Sequence, residues 1–182
     1  MRIPAAIRAV LFDRDGTLVA DVPYNGDPAL VSPLPAARSA IRRLREAGLS
    51  LGVITNQSGI ARGLVTPEQL TEVNARVDEL LGPFDVWTWC PHAETDGCRC
   101  RKPQPGLVFD ACAALGVSPA ETVVIGDIGS DMGAAHAAGA AGILVPTSAT
   151  RAREIALAPL VAGDLGEAAD IVLASRTMRG VA

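Results

Sequence analysis

Ala9-Val-Leu-Phe-Asp-Arg-Asp-Gly-Thr17 decides the fold, because a four-residue apolar run stops abruptly in two carboxylates, a glycine and a hydroxyl. An uninterrupted apolar run suits a strand buried on both faces of a parallel sheet, and in such sheets ligands gather beyond the carboxyl ends of the strands. Spaced by two on an extended chain, Asp13 and Asp15 point to one side and Arg14 to the other, so two acidic groups converge. Gly16 lets the backbone turn close to a ligand. A plain surface turn uses the same residue types, so the remaining strands have to decide between the two readings.

Working outward, residues 51–54 form a second apolar strand that ends in Thr55-Asn-Gln-Ser-Gly59. Residues 84–89 read as a third strand, 122–125 as a fourth ending in Gly126-Asp127, 142–145 as a fifth and 170–173 as a short sixth. Helical periodicity fills the intervals at 35–47, 67–81, 105–115 and 130–138. Thr66-Pro67 opens the second helix, while Gly48, Gly116 and Gly139 stop the other three. This alternation predicts an α/β fold with a doubly wound, mostly parallel sheet. Residues 21–33, rich in Pro, Gly, Asp and Asn, read as a loop beside the acidic strand end, placed to wall the site. Only 37 residues separate Thr17 from Thr55, and they already hold that loop, a helix and a strand, so no large cap domain fits.

A chain of 182 residues suits one domain over 1–182. Hydrophobic residues at 49% and charged residues at 20% are those of a globular protein with a real core. A net charge of -4 with 3% aromatic residues excludes a generic nucleic-acid surface, which needs a basic stripe and stacking platforms. No signal peptide and no membrane-length apolar run is visible, so the expectation is a cytoplasmic monomer with no membrane partner. Four cysteines in that setting are metal ligands or core residues before they are disulfides.

Three strand ends carry Asp13/Asp15, Thr55/Asn56 and Asp127. Together they offer hard oxygen ligands for Mg²⁺, which keeps several waters and prefers one or two carboxylates plus a phosphate oxygen. Thr55 and the polar run after it offer donors to a phosphoryl group. Cys90, His92, Cys98 and Cys100 place three thiols and an imidazole within eleven positions, a tetrahedral Zn²⁺ set; a redox pair or core cysteines are the competing readings. Cys112, among alanines on a helix, reads as packing.

The pattern resembles the haloacid dehalogenase (HAD) superfamily of phosphohydrolases over residues 10–145. Asp13-Arg-Asp-Gly-Thr17 looks like its first motif, Thr55 and Asn56 like its second, Lys102-Pro103 like its third, and Gly126-Asp127 through Asp131 like its fourth. The resemblance implies Asp13 as the nucleophile that takes up the phosphoryl group and Asp15 as the general acid and base. It also implies Mg²⁺ held by Asp13, Asp127 and the carbonyl of Asp15, and Lys102 offsetting phosphoryl charge, with Asp131 orienting either Lys102 or a metal-bound water. Gly16 and Thr17 support the first motif, while Thr55, Asn56, Gln57, Ser58, Arg101 and Lys102 contact substrate. The zinc loop and the 55–63 run are similar to those of heptose bisphosphate phosphatases and of histidinol-phosphate phosphatase domains. A small phosphorylated sugar, with the 7-phosphate of a D-glycero-D-manno-heptose 1,7-bisphosphate as the group removed, is then the expected substrate, histidinol phosphate the alternative, and a non-catalytic zinc-loop assembly domain a third reading of another class. Ile128 and the 23–33 loop depart from the heptose-enzyme pattern.

Overall fold

The structure is a computed structural model and describes residues 6–177. Ala9–Phe12 (β1) is buried at every position and lies in the middle of a five-stranded sheet. Ser50–Asn56 (β2) and Val86–Cys90 (β3) flank it on one side, Thr122–Gly126 (β4) and Ala141–Leu144 (β5) on the other, giving the order β3-β2-β1-β4-β5. Every pairing is parallel, with Phe12 level with Val53 on one neighbour and Ile125 on the other. The carboxyl ends of β1, β2 and β4 therefore finish together. Strand order runs outward in both directions from β1, and the crevice beyond such a switch point is where α/β sheets bind ligands.

Helices cover both faces. Ala37–Glu46 (α1), Pro67–Leu81 (α2) and Leu165–Thr177 (α6) supply Ile41, Leu44, Val77, Leu165 and Val172 to the core over Val10 and Phe12. Gly106–Leu115 (α3) and Gly129–Ala138 (α4) supply Leu107, Val108, Ala134 and Ala135 over Leu11, Ile54 and Val124. A side chain alternation of two along β1 thus feeds two separate cores, which is why its run had to be apolar throughout. Between β1 and β2 the chain adds only a 3-10 turn, Pro28–Leu30, and α1, so there is no large cap.

Two expectations need correction. Residues 170–173 are not a strand but part of α6: Leu165, Ala168, Ala169 and Val172 recur at helical spacing and are all buried against the sheet, which overrides the β-branched pair Ile171-Val172. The third strand begins at Val86 rather than residue 84, because Phe84 turns inward to stack edge-on with Phe12 and Trp87 at centroid distances of 6.2 and 5.6 Å. Ala152–Leu157 (α5) was not foreseen.

Candidate active site

Asp13 leaves β1 at its carboxyl end, Lys102 follows the cysteine loop, and Asp131 sits on the first turn of α4. Their side chains meet. The Lys102 ammonium lies 2.8 Å from Asp13 Oδ1 and 2.6 Å from Asp131 Oδ1, and donates to the Ile54 carbonyl at 2.9 Å, so three partners surround a group that is 3% exposed. Burial alone would lower its pKa; the two carboxylates outweigh that and hold it well above its ordinary range. A buried cation satisfied in this way is fixed in place and stays charged.

Asn56 shows why Lys102 is where it is. Its Oδ1 accepts from the Lys102 backbone N–H at 3.0 Å and its Nδ2 donates to the Lys102 carbonyl at 3.1 Å, so the last residue of β2 clamps the third-motif backbone from both sides. Asn56 borders the site, and both polar atoms of its side chain are bonded to the Lys102 backbone. Thr55 is buried, and the Gln57 amide donates to both Thr55 Oγ1 and Asp15 Oδ2 at 2.9 Å.

Arg14 departs from the expectation that it points away from the site. It is 1% exposed, and its guanidinium donates to Asp15 at 2.9–3.2 Å and to Asn74 Oδ1 on α2 at 2.8 Å. The alternation along β1 ends at Asp13, and the turn that follows, with Gly16 at φ 78°, brings the long side chain round to its neighbour. Arg14 and Gln57 therefore both hold the Asp15 carboxylate, meeting at Oδ2. A Cβ on Gly16 would lie 2.4 Å from Asp127 Oδ2, so only glycine lets Asp127 approach this turn. Thr17 is fully buried beneath it.

A cavity of about 390 Å³ is lined by Asp13, Asp15, Thr55, Asn56, Gln57, Ser58, Lys102 and Asp127, and by Asp21 to Asn25 of the expected loop wall. Arg101 lies outside it, in an adjoining cavity of about 900 Å³ that shares Lys102 and Asn56.

Asp13, Asp127 and Asp131 each present a carboxylate oxygen, all within 4.8 Å of one another. Burial, helped by the neighbouring carboxylates, outweighs the opposing pull of Lys102 and pushes Asp13 up to about 8 and Asp127 up to about 7. The set fits a hard divalent cation such as Mg²⁺, with Asp13 and Asp131 each also engaged by Lys102.

Cys90, His92, Cys98 and Cys100 also converge. Their sulfurs are 3.0–3.6 Å apart and His92 Nδ1 is 3.5 and 3.2 Å from Cys90 and Cys100. No disulfide joins them. A tetrahedral zinc site with bonds of about 2.3 Å has edges of about 3.8 Å, so the cluster is close to that shape. Burial, then hydrogen bonding with Cys100, push the Cys90 thiol up to about 12, and a metal would have to stabilise its thiolate. Cys112 is buried and bonded to Thr122, a packing residue as expected.

Residues 99–168 match the HAD-hydrolase-like family model. A D-glycero-beta-D-manno-heptose-1,7-bisphosphate 7-phosphatase of Pseudomonas aeruginosa is 36% identical over 147 residues, which cover 76% of this chain and 80% of that protein. The protein of the same name from Mesorhizobium japonicum is 35% identical over 187 residues, 96% of this chain and 85% of that one. The chain belongs to the HAD-like hydrolases. Among solved HAD-like structures, the D,D-heptose 1,7-bisphosphate phosphatase of B. bronchiseptica complexed with magnesium and phosphate superposes with a TM-score of 0.81. It is 32% identical, with 92% of this chain and 99% of that one covered.

Two measurable consequences follow for this HAD-like site. The metal-free carboxyls of Asp13 and Asp127 keep protons in the folded state that the unfolded chain would shed near the ordinary 3.8. Their contribution to stability is therefore fully present below about pH 4 and is lost as pH rises through about 7–8. A cation that replaces those protons should raise the thermal midpoint more at about pH 9 than at about pH 6; calorimetry with and without Mg²⁺ showing the opposite trend would remove Asp13 and Asp127 as ligands. For the thiol cluster, elemental analysis should find one zinc per chain in protein purified without chelator. Cys98→Ala should then release it and lower the midpoint by roughly 5–15 °C. Full retention of zinc in that variant would exclude Cys98 from the set.

Proposed function

We infer that the chain, a phosphatase, removes the 7-phosphate of a D-glycero-D-manno-heptose 1,7-bisphosphate through a phosphoryl group carried on Asp13, acting as a single-domain monomer. The observation that carries this reading is the pair of adjoining cavities, one built round Asp13, Asp15, Lys102 and Asp127, the other lined by Arg101. A bisphosphate has one phosphate for each. The curated relatives named for that activity support the substrate class.

Asp13 Oδ attacks phosphorus, and the bond to the sugar oxygen breaks as the Asp13 acyl phosphate forms. Asp15, held by Arg14 and Gln57, gives its proton to the departing alkoxide and later takes one from the water that hydrolyses the acyl phosphate. Lys102 stays protonated throughout and faces the transferring group with charge already in place, so no reorganisation is needed as charge develops. Asp131 keeps Lys102 oriented, and Thr55 fixes Gln57. Mg²⁺, held by Asp13, Asp127 and the Asp15 carbonyl, would supply Lewis-acid charge at the phosphoryl oxygens. Arg101 follows directly on the zinc loop and offers a guanidinium fork to the distal phosphate.

Phosphate release measured across heptose 1,7-bisphosphate, heptose 7-phosphate, histidinol phosphate and nucleotides tests the reading. The bisphosphate is expected to have the highest kcat/KM, by about tenfold or more over the monophosphate for one charge-assisted contact. Histidinol phosphate carries a cationic amine that Arg101 would repel; if it proved the better substrate, the heptose assignment would fall and the aspartate chemistry would stand.

A further inference from the structure

The second cavity holds more charge than Arg101 alone can account for. Arg99, Arg101, Lys102 and Arg151 all line it, with Glu94 and Glu154. Three of these six are already engaged. Lys102 is engaged by Asp13, Asp131 and the Ile54 carbonyl, and Arg99 lies 3.5 Å from Asp110. Glu154 accepts the Arg151 backbone N–H at 3.0 Å on Oε2, and its other oxygen is turned toward Gly129, where a Cβ would meet it at 2.9 Å. Glu94 lies exposed on a 3-10 turn. Ile128, on the border between the two cavities, brings no charge.

What remains is a pair of guanidinium groups from two different loops, with the exposed Glu94 carboxylate on the same lining. Among the described residues the Arg101 side chain reaches only the His92 carbonyl, at 3.5 Å, and Arg151 has no carboxylate partner for its side chain. Arg151 is nevertheless placed. Thr150 donates its hydroxyl to the Asp127 carbonyl at 2.6 Å and accepts from the Thr147 N–H at 2.8 Å, which pins the preceding residue to the fourth-motif strand end. The loop after β5 is thus fixed to the carboxylate site itself, and its arginine faces the cavity next door.

We propose that Arg151 is a specificity-determining residue that, with Arg101, binds the second phosphate of the substrate. This rests on the bisphosphate reading above and adds the residue that reading lacks. A phosphate monoester is close to dianionic at neutral pH, since its second pKa is about 6. Each of its faces can accept a bidentate fork, and two forks from separate loops hold it in one orientation where a single arginine would let it pivot.

Steady-state kinetics of Arg151→Ala, Arg151→Lys and the exposed control Arg153→Ala, each on heptose 1,7-bisphosphate and heptose 7-phosphate, test it. Arg151→Ala should raise KM for the bisphosphate by about tenfold with kcat changed by less than about twofold. The monophosphate KM should shift far less, Arg151→Lys should recover part of the loss, and Arg153→Ala should leave the ratio of the two substrates where it was. Equal changes on both substrates, no change on either, or the same effect from Arg153→Ala would overturn the assignment. If the native enzyme prefers the bisphosphate and Arg151→Ala keeps that preference, this inference alone fails. If the native enzyme shows no preference, the bisphosphate reading fails with it.

Discussion

Asp13→Asn is expected to lower phosphatase turnover by on the order of 10⁴- to 10⁶-fold, since deleting the nucleophile of a covalent mechanism removes the whole route rather than one stabilising contact. The amide has the same shape but cannot attack phosphorus. Lys102 would still have Asp131 and the Ile54 carbonyl, so the metal-free variant should melt close to the native protein. The added stability from Mg²⁺ should shrink, because one of the three buried carboxylates grouped for the cation is gone. Phosphate release together with melting curves, with and without Mg²⁺, checks both parts. Activity within about tenfold of native would transfer the nucleophile's role to another group.

Lys102→Met should damage stability as well as rate. The methionine fills much of the same volume but leaves Asp13 and Asp131 facing each other without a cation between them, and breaking a buried ion pair from one side costs about 3–5 kcal/mol. The destabilisation should be largest at about pH 8 and smaller at about pH 5, where buried carboxyls can take up protons instead. Turnover should fall by about 10³-fold or more from the loss of fixed positive charge at the transferring phosphoryl group. Chemical denaturation at the two pH values is the decisive measurement: an equal loss at both would mean that Lys102 stabilises by packing and not by charge.

Much of this site was legible because its residues interrupt apolar strands. Asp13, Asp15, Thr55 and Asp127 stand where buried runs end, and burial makes a polar residue conspicuous. The cysteine cluster was legible by spacing. Arg14 was misjudged because strand alternation gives the direction of a Cβ but not where a long guanidinium goes after a turn. Asn56 sits where a ligand-binding amide would, and its contact with Lys102, across 46 positions, has no sequence signature. The hold of Thr150 on Asp127 spans 23 positions and has no sequence signature at all. In the fold, residues 170–173 were read by strand propensity although their neighbours carried helical period, and the longer pattern prevailed.

The Asn56 clamp bears on how binding is distributed between entropy and contact. Irregular chain normally loses conformational freedom when it closes on a ligand, at about 1–2 kcal/mol per backbone residue fixed. The segment carrying Lys102 is held at one end by the Cys90/His92/Cys98/Cys100 cluster and at the other by a strand terminus that takes both its N–H and its C=O. That freedom is surrendered once, as the protein folds. Substrate then meets a lysine that is already still, and little of the attraction between them is spent on quieting the loop.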